Sequence, residues 1–127
     1  MRLKASDLPP EFRHLVKKQA KPKGPNKTEQ RYAAEVLEPR RLAGEIKAYW
    51  YERCKWKIAG GKCWLTIDYL VQRADGLLES HEVKARWSNG QVGRDDSRIK
   101  LKCLAEQSPF KVVLAVWGKG WEMQELA

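Results

Sequence analysis

The stretch that decides the fold is TIDYLVQRADGLLESHEVK, residues 66–84. Two largely apolar runs flank the tripeptide ADG at 74–76, and a three-residue loop ending in glycine commonly joins two antiparallel strands. In the register that this loop sets, Asp68 lies directly opposite Glu82. The sequence therefore predicts a β-hairpin that carries two facing carboxylates.

Such a pair is unfavourable in a hairpin that only has to fold. Side chains of facing residues lie about 5 Å apart, and two like charges at that distance repel by about 3 kcal/mol at an effective dielectric near 20. Lys84 follows Glu82 by two residues and shares its face. The flanking residues are apolar, which predicts central, buried strands, and a divalent cation held by oxygen ligands would offset the repulsion. The alternative is a solvated edge strand carrying Glu82 and Lys84, with Asp68 beginning a turn.

The composition indicates one small domain with a polyanionic partner. The chain has 127 residues, a net charge of +9 and a pI of about 9.6, which favours binding to nucleic acid. No apolar run could span a bilayer and no signal peptide begins the chain, so we expect a cytoplasmic protein with no membrane partner. The three cysteines have no zinc-ligand spacing, and we expect them to be reduced and mostly buried.

The N-terminal part divides into an arm and a helix. Residues 1–25 are rich in proline and lysine and form either a basic arm along phosphates or a solvated leader, with a short helix at 11–18. A helix over 26–38 follows, ended by Pro39. Glu29 falls on its apolar stripe, where it either closes a capping box with Asn26 or reaches a metal ion at the sheet.

Alternating residues from 46 to 58 predict one strand with a buried face, and a turn at 59–61 leads into the hairpin. Three antiparallel strands therefore follow one another. The tryptophans of this region, including Trp64 of the next strand, are expected in the core. The other residues expected on the buried face are Ile46, Ala48, Trp50, Cys54, Trp56 and Ile58.

The polar segment after the hairpin is expected to contact DNA. Residues 85–94 form a predicted loop, then a helix capped by Asp95 or Asp96 runs to about residue 107, and a buried strand at 110–117, a turn and an edge strand close the chain. Arginine can form bidentate hydrogen bonds with phosphate, and an exposed tryptophan can stack on a base. The tryptophan could instead pack against the core. The expected nucleic-acid contacts are Arg86, Trp87, Arg94, Arg98 and Lys102.

The order of helix, three antiparallel strands, helix and strand, with Asp68 on one strand and Glu82-Val83-Lys84 on the next, resembles the PD-(D/E)XK nuclease superfamily. The resemblance spans about 26–117. Within the superfamily, NKTE at 26–29 together with the later Glu82-Val83-Lys84 resembles small nuclease-like proteins of phages and prophages. Ile67 replaces a proline frequent in the family. The resemblance implies an α/β (α+β) fold with a restriction-endonuclease-like core, in which helices flank a mixed central sheet of three antiparallel strands plus a later strand.

The resemblance also implies an activity, which is Mg²⁺- or Mn²⁺-dependent hydrolysis of DNA. Asp68, Glu82 and the backbone carbonyl of Val83 would hold the ion, Lys84 would be catalytic, and Glu29 would act as a further ligand or orient a water. Cleavage of branched DNA such as a Holliday junction would call for a homodimer, and a phage protein would act in the host cytoplasm. Two alternatives stay open, a non-catalytic DNA-binding protein on this fold and a ribonuclease.

Overall fold

The computed structural model describes residues 9–11, 24–60 and 63–126, and within them the fold is α+β, with a mixed five-stranded sheet and helices. The predicted helix at 11–18 and most of the basic arm lie outside the described residues. The helices are α1 (Lys27–Tyr32), α2 (Glu38–Leu42) and α3 (Asp95–Gln107), with a π-helical turn at Ala33–Leu37. The strands are β1 (Ile46–Tyr51), β2 (Lys55–Lys57), β3 (Trp64–Thr66), β4 (Tyr69–Arg73), β5 (Leu78–Ala85), β6 (Lys111–Trp117) and β7 (Trp121–Leu126).

The central sheet has the strand order β1-β4-β5-β6-β7, and only the β5–β6 pair is parallel. The β4–β5 hairpin has the predicted register, because Tyr69 pairs with His81 and the Arg73 amide donates to the Leu77 carbonyl at 2.8 Å. Gly76 takes a φ of +91°, the left-handed conformation that the loop requires. The hairpin therefore lies at the centre of the sheet, as the sequence predicts.

Each face of the sheet has its own core. On one face Tyr32 and Leu37 pack against Tyr69 and Val83, and on the other face Leu101 and Leu104 of α3 pack against strands that include β6. Successive residues of a strand point to opposite faces. Val83 of β5 therefore faces the first helix, while Glu82 and Lys84 face the side covered by α3.

The first helix does not end at Pro39, so that prediction is wrong. The Glu38 amide donates five residues back, to the Ala33 carbonyl, as part of the π-helical turn. This turn makes Pro39 a first-turn residue of α2, where the missing N–H breaks no helical hydrogen bond. The helix instead continues to Leu42, and Gly44 follows its C-cap residue with a φ of +78°.

The predicted single strand over 46–58 is also wrong, because two features interrupt it. A bulge between Ile46 and Ala48 turns Tyr49 and Tyr51, rather than Trp50, towards the core under α1. Glu52, the one residue that breaks the apolar alternation, takes a φ of +46° and ends β1. The chain then forms a separate hairpin from β2 and β3, before β4 begins at Tyr69.

The C-terminal elements follow the prediction except at the helix cap. Helix α3 begins at Asp95 with Arg94 in the N-cap position and no side-chain cap, so both aspartates lie in its first turn instead. Strands β6 and β7 occupy the predicted positions at one side of the sheet. The cysteines are free and half-buried. None of the helices in the described part of the chain is long and apolar enough to cross a membrane.

Candidate active site

The Asp68 side chain meets β5 beside Glu82. The β4–β5 pairing ends at Tyr69 and His81, and two residues beyond His81 the Val83 amide donates to Asp68 Oδ2 at 2.8 Å. The Asp68 carbonyl accepts from the Glu52 amide at 2.8 Å, which fixes the backbone at this bend. Glu82 is only 4% exposed. The alternative of a solvated edge strand is therefore wrong.

The two acids lie in a site that lacks sufficient positive charge. Burial raises the pKa of Glu82 strongly, and hydrogen bonding to Asp68 and repulsion from its charge raise the pKa further. Lys84 lowers the pKa of Glu82, but less than these effects raise it. The raised pKa of Glu82 indicates that two negative charges are unfavourable at this site, and a bound cation would offset them.

Lys84 lies on the same face of β5 as Glu82, two residues further along. Its aliphatic stem runs over Gly93, where a Cβ atom would lie 3.3 Å from Cδ and 3.5 Å from Cε of the lysine. Gly93 is buried and takes a φ of +66°. The glycine therefore leaves room for the lysine stem in a backbone conformation that other residues rarely adopt.

Glu29 closes the capping box, and its charge also interacts with those of the acid pair. Its amide donates to Asn26 Oδ1 at 2.8 Å, and its carboxylate accepts from the Asn26 side-chain amide at 2.9 Å. Burial, followed by the charge of Asp68, raises the pKa of Glu29, while hydrogen bonds from Tyr51 and Asn26 oppose the shift. Glu29 also contributes to the raised pKa of Glu82. The capping and site hypotheses are thus compatible for this residue.

The oxygen donors of this site suit a hard cation. Asp68 and Glu82 provide two carboxylates, and the Val83 carbonyl lies on the same edge of β5 as its amide, which bonds Asp68. Among residues 9–11, 24–60 and 63–126, no group of three or more His, Cys, Asp or Glu side chains is arranged to hold a metal ion. Mg²⁺ commonly takes one or two carboxylates and completes its shell with water and substrate phosphate. The chemistry of these donors therefore suits an ion such as Mg²⁺ or Mn²⁺ that takes its other ligands from outside the protein, and does not suit a closed structural metal site.

The five expected DNA contacts lie on the segment after β5 and on α3, and all are exposed. Arg86 is held by Glu122 at 3.1 Å and by the Gly90 carbonyl at 3.0 Å. Trp87 is 47% exposed and does not tuck onto the core. Arg86 pairs with Val92 across a tight turn, in which the Trp87 amide donates to the Gln91 carbonyl at 2.7 Å. This segment is therefore an ordered hairpin that presents Trp87 to solvent. Of these five residues, the three on α3 are Arg94 at its N-cap, Arg98 and Lys102.

Two features of the site escaped the sequence analysis. The hydroxyl of Tyr69 donates to the Glu29 carbonyl at 2.9 Å and ties α1 to the start of β4. Trp64, predicted to be in the core, is 43% exposed and lies near two lysines on the β2–β3 hairpin. The break in the apolar alternation at Glu52 could have indicated that Trp64 lies outside the main sheet, since Glu52 marks the start of the segment that carries Trp64.

Comparisons with protein-family models, with curated proteins and with solved structures found no match.

Proposed function

We propose that this protein is a metal-dependent endodeoxyribonuclease with a restriction-endonuclease-like core, of the PD-(D/E)XK type. The observation that carries the proposal is the approach of the Asp68 side chain to β5 beside the buried Glu82, with Lys84 on the same face two residues further along. A buried pair of acids with too little compensating charge disfavours folding. A role in binding a cation explains why the chain has this arrangement.

Each residue has a distinct task in this proposal. Asp68, Glu82 and the Val83 carbonyl would hold Mg²⁺ or Mn²⁺, and Glu29 would add a ligand or orient a water from the α1 side. A bound ion would supply Lewis-acid stabilisation at a phosphate oxygen and would lower the pKa of a water. The Lys84 ammonium would position the attacking water or offset the charge that develops on the phosphoryl oxygens. Gly93 would keep the lysine stem on its path beside Glu82.

The basic residues near the site would align the DNA. Arg94, Arg98 and Lys102 carry exposed positive charge along α3, which suits contact with the phosphate backbone. Arg86 is held close to β7 by Glu122, and Trp87 projects from the same hairpin towards solvent. Phosphate contacts would position a strand and Trp87 would stack on a base. Holliday-junction cleavage would further require a symmetric homodimer, because two strands are cut across a two-fold axis.

The test is incubation with single-stranded, duplex, flap and four-way-junction DNA, with matched RNA, with and without Mn²⁺. We expect Mn²⁺-dependent cleavage of DNA by the wild type and none by Lys84→Ala. Glu79→Gln is the matched control, because Glu79 lies on the other face of the same strand and bonds His81. Equal cleavage by the wild type and Lys84→Ala would contradict the proposal. Cleavage of RNA but not DNA would make the protein a ribonuclease.

A second candidate is a DNA-binding protein without catalytic activity. It is favoured by the absence, within the described residues, of a group of three side chains arranged for a metal ion, and by the bonding of Glu29 to Asn26. This candidate predicts salt-dependent DNA binding with no cleavage under any metal condition. The same substrate panel separates the two functions.

A further inference from the structure

The β2–β3 hairpin presents a basic and aromatic face to solvent. Its four outward residues are all exposed, and they are Lys55, Lys57, Trp64 and Thr66. Lys57 pairs directly with Trp64 across the hairpin. The ammonium groups of Lys55 and Lys57 lie 5.3 and 5.9 Å from the centre of the Trp64 ring. An exposed ring with two cations beside it matches the chemistry of a nucleic-acid strand, in which flat bases alternate with phosphates.

The opposite face of this hairpin is anchored, which makes the exposed face a fixed surface. Ile58 and Ile67 are buried in the core together with Leu101 and Leu104 of α3. The Ile67 amide donates to the Cys54 carbonyl at 3.0 Å, and the Ile58 carbonyl accepts from the Gln107 side chain at 3.1 Å. Binding to this surface therefore requires little ordering of the hairpin itself.

The hairpin emerges directly from the acid site. It occupies the chain between Glu52 and Asp68, and the Glu52 amide donates to the Asp68 carbonyl at 2.8 Å. Strand β5 ends at the same end of the sheet, since its Val83 amide bonds the Asp68 side chain. The hairpin that carries Trp87 follows β5 directly and therefore lies at this end as well. Two exposed tryptophans on separate hairpins consequently lie at the end of the sheet that holds the acid pair.

We propose that the exposed face of the β2–β3 hairpin binds an unpaired DNA strand, with a base stacked on Trp64 and phosphates contacted by Lys55 and Lys57. The Lys55 and Lys57 side chains are long enough to leave the Trp64 ring and contact a phosphate when a base stacks on that ring. A base within a duplex is already stacked, and exposing it would cost a few kcal/mol, whereas an unpaired base is free to stack. If the protein is the proposed nuclease, the bound strand is part of its substrate, and the substrate class is DNA with a single-stranded segment. Only this assignment of a substrate rests on the proposed nuclease function.

The test measures binding in EDTA, so that cleavage plays no part. Fluorescence anisotropy would follow a labelled oligothymidylate of about 12 nucleotides and a duplex of matched length. We expect Trp64→Ala to weaken single-strand binding by about 5- to 100-fold and to change duplex binding much less. The double variant Lys55→Ala/Lys57→Ala should lower the slope of log affinity against log salt by about 1.4. Lys47→Ala and Leu77→Ala are the controls, because both residues are exposed at the other end of the sheet.

Both effects are required. Unchanged single-strand affinity in either Trp64→Ala or the double lysine variant, each with a wild-type melting temperature, would overturn the inference, as would equal losses in the two controls. Since Lys55 and Lys57 are exposed, their double variant tests the surface even if Trp64→Ala unfolds. Failure here leaves metal-dependent cleavage untouched, and a protein without nuclease activity would still show the binding effects.

Discussion

Two glutamates of β5 should respond in opposite ways to the same substitution. Glu82 faces Asp68, and burial and that acid raise its pKa. Glu79 lies three residues earlier on the other face, where a hydrogen bond with His81 at 3.0 Å is the main cause of its lowered pKa. At pH 8 we expect Glu82→Gln to increase the free energy of unfolding and Glu79→Gln to decrease it.

The magnitudes follow from the charges and from the pH. Two carboxylates about 5 Å apart repel by about 3 kcal/mol at an effective dielectric near 20, so Glu82→Gln should stabilise the metal-free protein by about 1–3 kcal/mol. A raised native pKa means that the folded state gains stability at low pH and loses it as pH rises above the ordinary value of 4.5. The gain from Glu82→Gln should therefore shrink towards pH 5. Glu79→Gln should lower the free energy of unfolding by about 1 kcal/mol, because it removes the hydrogen bond between ionised Glu79 and His81. This loss should diminish as pH falls below 4.5, because the stabilisation by ionised Glu79 is lost there in the wild type as well.

The assay is urea unfolding of the three proteins in EDTA at pH 4, pH 5 and pH 8, followed by thermal melts with added Mn²⁺. Mn²⁺ should raise the melting temperature of the wild type and of Glu79→Gln, because a ligand that binds the native state stabilises it. It should not raise that of Glu82→Gln. A destabilised Glu82→Gln in EDTA would refute the argument that the acid pair is uncompensated.

Two further predictions concern the surroundings of the acid pair. Gly93→Ala and Gly90→Ala place a side chain at φ values of +66° and +87°, so each should destabilise the protein by about 1–2 kcal/mol. Only Gly93→Ala should also reduce DNA cleavage, because only that Cβ meets Lys84. Measurement of kcat at equal folded fraction checks this, and equal losses of kcat in the two variants would contradict it. Arg98→Ala/Lys102→Ala should lower the salt slope of duplex binding by about 2, as measured by anisotropy titrations, and an unchanged slope would exclude these residues from the phosphate contacts.

The β4–β5 hairpin was predictable because its register depends on local chemistry. The loop at 74–76 needs a left-handed glycine, and Gly76 supplies it; once the loop is fixed, the facing of Asp68 and Glu82 follows from the period of two along a strand. The burial of Glu29 follows in the same way from the helical period. Local rules therefore predicted the register of the hairpin and the burial of Glu29.

The errors arose where non-local packing decides the outcome. The bulge after Ile46 reverses the buried face of β1, and no residue type at that position requires it. Trp64 looked like a core residue because it continues an apolar alternation, but the small β2–β3 sheet buries only one face and Trp64 lies on the other. Pro39 normally ends a helix, yet the π-helical turn before it allows the helix to continue. The buried faces of β1 and of the β2–β3 hairpin depend on packing against other elements, whereas the continuation past Pro39 depends on the local π-helical turn.

The most direct test of the central claim is Mn²⁺ binding, followed by electron paramagnetic resonance, in the wild type and in Asp68→Asn, with and without DNA. If Asp68 and Glu82 hold the cation, the wild type binds Mn²⁺ more tightly in the presence of DNA, whereas Asp68→Asn loses Mn²⁺ binding and still binds DNA. Equal Mn²⁺ binding by the two proteins, or no binding by the wild type with DNA present, would contradict the account.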